Sequence, residues 1–155
     1  MAKIIVGDRI GKHAHLSVGC SAIIFNQTRE KILLTRRTDN GRWCLPGGAM
    51  EAGESLMETC AREVMEETGL LVKVGRLIGV YSTPHRIIEY ADGNRKQLVS
   101  HSFEAEVIGG ELTLSDETTE YGYFTVDEIA KLDLMEHHHE RIEDCLANLT
   151  IPFVK

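Results

Sequence analysis

The stretch from Ser55 to Gly69 constrains the fold more than any other part of the sequence. Ser55 followed by Glu58 is a capping box, and Gly69 supplies the left-handed residue that ends a helix. Both ends of a helix of about 14 residues are therefore marked. At about 100° per residue, Met57, Cys60, Ala61, Val64, Met65 and Thr68 fall on one broad arc, predicted to face the core. Glu63, Glu66 and Glu67 fall on a separate arc about 100° wide. Like charges spaced i,i+4 cost roughly a few tenths of a kcal/mol per pair. These three also crowd the C-terminal half of the helix, where the macrodipole disfavours anions.

Local stability argues against such a stripe, and a divalent cation removes the conflict. Hard oxygen ligands on one helix face suit Mg²⁺ or Mn²⁺. Arg62 lies four residues after Glu58 and four before Glu66, placed to steady the acidic cluster together with Glu54. Glycines at 47, 48 and 53 let the preceding loop fold back, bringing a backbone carbonyl towards the ion.

The segment resembles the Nudix box, G-x5-E-x7-R-E-U-x-E-E-x-G-U, with U a bulky aliphatic residue. Gly48, Glu54, Arg62, Glu63, Val64, Glu66, Glu67, Gly69 and Leu70 fill every defined position. The flanks are similar as well: Trp43-Cys-Leu-Pro-Gly-Gly48 precedes the box, and the acidic run Asp116–Glu120 precedes Tyr121–Phe124. The resemblance covers about residues 17 to 148 and rests on motif spacing.

It implies an α/β/α sandwich with a mixed β-sheet and a loop-helix-loop box, formed by a single domain spanning residues 1–155. It also implies hydrolysis of a nucleoside diphosphate linked to another moiety. By the same resemblance Glu63, Glu66 and Glu67 bind Mg²⁺ or Mn²⁺, with the Gly48 carbonyl as a further ligand. A pyrophosphate repels an attacking water, so cations must neutralise it and a carboxylate must take the proton. Glu63 and Glu66 are the candidates for that base inside the box; outside it Glu120 is preferred to Glu117. Arg62 and Glu54 complete the catalytic set. Arg36, Arg37 and Arg86 are candidate phosphate contacts, and Trp43, Tyr81, His85 and Tyr90 candidate base-stacking groups. The competing reading of each is a solvated charge or a packed aromatic.

ADP-ribose or a related nucleotide sugar is the first substrate expected, because Pro84 stands 14 residues after Leu70 (84 − 70), a spacing similar to that of the ADP-ribose-cleaving branch; a simple strand end explains it equally well. A MutT-like nucleoside triphosphate pyrophosphohydrolase comes second. A non-catalytic nucleotide sensor and an isomerase on the same fold are further alternatives, disfavoured by the intact box.

Composition bounds the rest. Hydrophobic residues make up 43% and charged residues 26% of 155, ordinary for a globular chain. Seventeen basic residues against 24 acidic, net −7, argue against a partner of duplex nucleic acid. There is no apolar run of about 18 residues and no signal-peptide pattern, so no membrane partner and a cytoplasmic location are expected. Cys20, Cys44, Cys60 and Cys145 form no C-x-x-C pair and read as reduced, buried thiols. Family members often dimerise, but no feature here specifies a homodimer interface.

Periodicity predicts strands over 17–25 and 31–36, paired as a hairpin, and strands over 71–82 and 98–108. A loop is expected over 84–96. Gly109-Gly110 reads as a tight turn returning through 111–114. A short strand is predicted over 121–125, and helices over 126–132 and 136–149. His137-His138-His139 reads as an exposed helix start, with a metal site disfavoured because consecutive helix residues diverge. His101 reads as a satisfied core histidine.

Overall fold

The computed structural model describes residues 2–155. In chain order the strands are β1 (Lys3–Val6), β2 (His15–Ile24), β3 (Ile32–Arg37), β4 (Trp43–Cys44) and β5 (Gly47–Ala49). Helix α1 (Leu56–Thr68) follows, then β6 (Leu70–Tyr81), β7 (Arg86–Glu89), β8 (Arg95–Gly110) and β9 (Thr118–Phe124). The chain closes with α2 (Val126–Ile129), α3 (Glu136–Leu146) and β10 (Phe153–Val154).

Two sheets share the work. The larger is mixed: β2 runs parallel to β8, β10 runs parallel to β6, and the other pairings are antiparallel. The smaller is antiparallel, in the order β4-β3-β9. Neighbouring residues of one strand serve opposite cores. In β2, Cys20, Ala22 and Ile24 pack with Cys60 and Val64 of α1, while Ile23 packs with Ile142 and Cys145 of α3. In β3, Leu33 joins the α1 side, and Ile32 and Leu34 the α3 side. This is the expected α/β/α layering, and strands covered on both faces read as near-continuous apolar runs. All four cysteines are buried and unbonded.

Several expectations are corrected. β2 and β3 do not form a hairpin; a single bridge, Phe25 to Ile32, links them before they diverge into different sheets. Both are apolar on two faces, so each finds fuller pairing elsewhere, β2 on β8 and β3 on β9. The predicted 84–96 loop contains β7 and the start of β8, joined by a tight turn in which Tyr90 N–H donates to Asn94 O at 2.9 Å. Four residues with charged ends carry too little periodicity to announce β7.

Gly109-Gly110 ends β8 without a returning strand. Gly110 (φ 77°) lies against the backbone of Gly69 and Leu71, where any Cβ would collide. The glycine serves that close approach rather than a turn. The His137-His138 pair is buried, not exposed, because α3 turns this face onto the sheet. His101 does meet a partner, Gly19 O, at 3.2 Å from Nδ1.

Candidate active site

Helix α1 begins as its sequence dictates. Ser55 Oγ accepts from Glu58 N–H at 3.3 Å, and Glu58 accepts from Ser55 N–H at 2.7 Å. Gly69 (φ 75°) closes the helix, donating to Met65 O at 2.9 Å. The buried arc differs from the predicted one. Met57 and Met65 are exposed at 49% and 36%, whereas Glu67 is only 8% exposed. The 47–49 strand folds over the carboxylate side of α1, so tertiary cover and not side-chain polarity decides which face is enclosed.

Arg62 organises the acidic side chains. Its Nη1 donates to Glu63 at 2.8 Å and to Glu66 at 3.1 Å, and its Nη2 to Glu54 at 3.0 Å and to Ala49 O at 3.1 Å. Glu54, held by Arg62 and by Glu51 N–H, has its carboxyl lowered to about 2. Glu66 is the outermost of the three box glutamates. Glu63 is pushed upward by burial, with Arg62 opposing. Glu67 is pushed up to about 8, first by burial and then by the charges of Glu63 and Glu117, against a single donor, Gly47 N–H at 3.3 Å.

These residues suit a divalent cation. The half-buried Glu63 and buried Glu67 share too little positive charge, because Arg62 is divided among three glutamates and Arg37 is bound to Asp39 at 2.8 and 2.9 Å. A Cβ on Gly48 would fall on the Glu63 carboxylate, so glycine keeps that oxygen cluster open beside the backbone. The donors are hard oxygens, as Mg²⁺ and Mn²⁺ prefer. Among the described residues no three His, Cys, Asp or Glu side chains already converge on one point. Arg62 holds Glu63 and Glu66, and a cation would compete with it for both.

A groove beside this acidic end consists of three adjacent sections that share lining residues. The first, about 240 Å³, is lined by Glu67, Glu117, Arg37 and Cys44. The second, about 150 Å³, shares Arg37 and Cys44 with it and touches Gly47, Gly48, Tyr90 and Arg141. The third, about 360 Å³, shares His137 and Arg141 with the second and contains Tyr81 and Arg86.

The groove thus gathers Gly48, Glu67, Arg37, Tyr81, Arg86 and Tyr90. Other candidates lie elsewhere. Trp43 is buried edge-on against Phe124, ring centroids 4.9 Å apart, and offers no free face for stacking. Arg36 and Glu120 pair with each other across β3 and β9 at 3.3 Å, outside the groove. His85 lies in a surface turn, its Nδ1 accepting from Arg9 N–H at 3.0 Å. Glu117, ranked below Glu120 on sequence grounds, is the acidic-segment residue that faces Glu67. Sequence reasoning missed Arg141. Its i+4 spacing from His137 and i+3 from His138 is the signal that places all three on one helix face.

The sequence profile of the NUDIX domain matches residues 15–145. The chain belongs to the Nudix family. As a Nudix hydrolase it is a pyrophosphohydrolase, and its family uses divalent metal ions. It is similar to the ADP-ribose pyrophosphatase of Methanocaldococcus jannaschii, 39% identical over 133 residues, covering 84% of this chain and 72% of that protein. It is also 39% identical over 101 residues to a MutT-like protein of Streptomyces ambofaciens, covering 65% of this chain but 59% of that relative. Among solved structures, a Nudix hydrolase from Nitrosomonas europaea superposes with a TM-score of 0.71 at 26% identity, over 88% of this chain and 92% of the other. Among the described residues of this Nudix hydrolase, no helix is long and apolar enough to cross a membrane.

Proposed function

We propose that this Nudix hydrolase cleaves the diphosphate linkage of ADP-ribose or a related nucleotide sugar, releasing a nucleoside monophosphate and a sugar phosphate. The observation that carries the reading is the under-neutralised carboxylate pair Glu63–Glu67, with Glu67 at the head of a groove whose further sections bring in Arg37, Lys96, Arg141 and Arg86. The relative from M. jannaschii supports ADP-ribose as the first substrate to test.

Glu63, Glu66 and Glu67, with the Gly48 carbonyl, would hold Mg²⁺ or Mn²⁺. Such an ion screens phosphate charge and makes a bound water more acidic. The chain's own groups do the rest. Arg62 fixes the rotamers of Glu63 and Glu66 while leaving the Glu67 carboxylate untouched. Glu117 faces the same section of the groove as Glu67 and is the side chain outside the box best placed to take the proton of the attacking water. That water's oxygen bonds to one phosphorus as the bridging P–O bond breaks. The electron pair leaves with the departing phosphate.

A nucleoside triphosphate is the second reading, supported by the MutT-like relative. The test is a panel of ADP-ribose, UDP-glucose and nucleoside triphosphates, assayed with chelator-stripped protein before and after adding Mg²⁺ or Mn²⁺. Metal-dependent AMP release from ADP-ribose is expected. Faster release of diphosphate from triphosphates moves the assignment to the second reading, and nucleotide binding without turnover makes the protein a sensor.

A further inference from the structure

Helix α3 presents a buried cation that the box chemistry does not use. Arg141 is 4% exposed. Its Nη1 donates to Ser21 Oγ at 3.3 Å, and its Nε has no partner. Among the described residues no carboxylate lies within ion-pair reach of it. The nearby Asp144 is already engaged, accepting from Tyr81 OH at 2.9 Å and from Lys155 Nζ at 2.9 Å. Glu140 is paired with Lys155 at 3.5 Å. The imidazoles beside it add no anion; burial holds His137 down to about 2 and His138 well below its ordinary value, and His138 Nδ1 is itself unpartnered. The Tyr81 ring centroid lies 5.4 Å from the guanidinium carbon. A buried cation left without a counter-charge is unfavourable, so the fold holds this one at a cost.

Its position gives that cost a purpose. Ser21 pairs with Gly47, and Cys20 with Gly48, in the β2–β5 register. The guanidinium therefore stands one strand from the loop that carries Gly48, in the wall shared by the second and third sections of the groove. Lys96 lines the second section and Arg86 the third. The groove thus changes sign along its length, negative at Glu67 and Glu117 and positive around Lys96, Arg141 and Arg86, where the one carboxylate, Glu140, is paired with Lys155. A diphosphate has two phosphates to match those halves.

We propose that Arg141 is a substrate-binding residue that takes the phosphate on the nucleoside side of the scissile bond, while the box takes the other. A phosphate brings both the charge and the paired acceptors that a guanidinium fork requires. A neutral base edge supplies acceptors but leaves the cation uncompensated. The assignment rests on the hydrolase reading for which phosphate is meant. It makes one separable claim: the nucleoside monophosphate binds with no divalent metal present.

The test is binding of AMP, inorganic phosphate and adenosine to the full chain in chelator, by calorimetry. AMP and phosphate are expected to bind the wild type, with adenosine at least tenfold weaker than AMP. Arg141→Met should weaken AMP at least tenfold, and Arg141→Lys should keep part of the affinity. Free of ligand, Arg141→Met should melt no lower than the wild type, because the removed charge had no partner. In the wild type the Arg141 Nε–H resonance should shift on adding AMP and stay put with adenosine, which reads the contact even if a variant fails to fold. Equal AMP affinity in wild type and Arg141→Met overturns the inference. So does a wild type that binds no AMP, an unmoved Nε–H signal, or adenosine binding as tight as AMP. ADP-ribose turnover with metal is scored separately. AMP binding through Arg141 without turnover defeats only the hydrolase reading, and turnover with Arg141-independent AMP binding defeats only this inference.

Discussion

Glu67 is the side chain whose burial most shapes the pH behaviour of the site. Its carboxyl sits at about 8 in the fold against an ordinary 4.5. Below pH 4.5 it is protonated in both folded and unfolded chains. As pH rises towards 8 the unfolded chain releases this proton and the fold does not, so the stability linked to Glu67 is lost across that window. Metal-free wild type should therefore lose melting temperature from pH 5 to 8 relative to Glu67→Gln, which stays neutral. Parallel melting curves in chelator would show that the carboxylate is not under this strain. With metal present, Glu67→Gln should lower kcat by roughly 10³-fold or more. Glu117 and Glu120 separate as cleanly. Glu117→Gln should lower kcat by roughly 10²-fold or more, and Glu120→Gln should leave it nearly unchanged, since Glu120 is spent on Arg36 outside the groove. The reverse pattern returns the base to Glu120.

At the scale of the element, α1 was legible at its ends and illegible on its face. The capping box and the glycine stop are local, satisfied by residues within four positions, and both appear as read. Ser55→Ala should cost about 1 kcal/mol in chemical denaturation. Gly69→Ala should cost more than the roughly 1 kcal/mol of a simple glycine replacement, because φ is 75° and the new methyl would meet Glu111 O. Equal losses would mean that the 111–113 segment yields readily. The buried face depended instead on what folds over α1. Hydrophobic periodicity nominated Met57 and Met65, yet the 47–49 strand covers Glu67. The β2–β3 pair misled in a similar way, since two adjacent strands with a polar turn satisfy every local sign of a hairpin while pairing with distant strands.

For the molecule as a whole, the net charge of −7 conceals a polar groove. Acidic groups dominate at the α1 end and cations from Arg37 to Arg86 along the rest. A cation that binds the folded chain alone stabilises it by mass action, about 2.7 kcal/mol at a hundred times its Kd. Saturating Mg²⁺ or Mn²⁺ should therefore raise the wild-type melting temperature, and raise that of Glu67→Gln less. An unchanged wild-type melt would remove the acidic end as a metal site.

The sequence by itself determined the family, the capped helix, the crowded glutamates and the role of Arg62 as their clamp, because each follows from spacing within a few turns of one element. Only the tertiary structure decided that Glu117 rather than Glu120 faces the box, that Trp43 is core, and that Arg141 lies buried beside Gly47. Those outcomes depend on which strand is laid next to which. Contacts 51 residues apart, as between Glu67 O and Thr118 Oγ1, or 120 apart, as between Ser21 and Arg141, leave no periodic trace in a single chain.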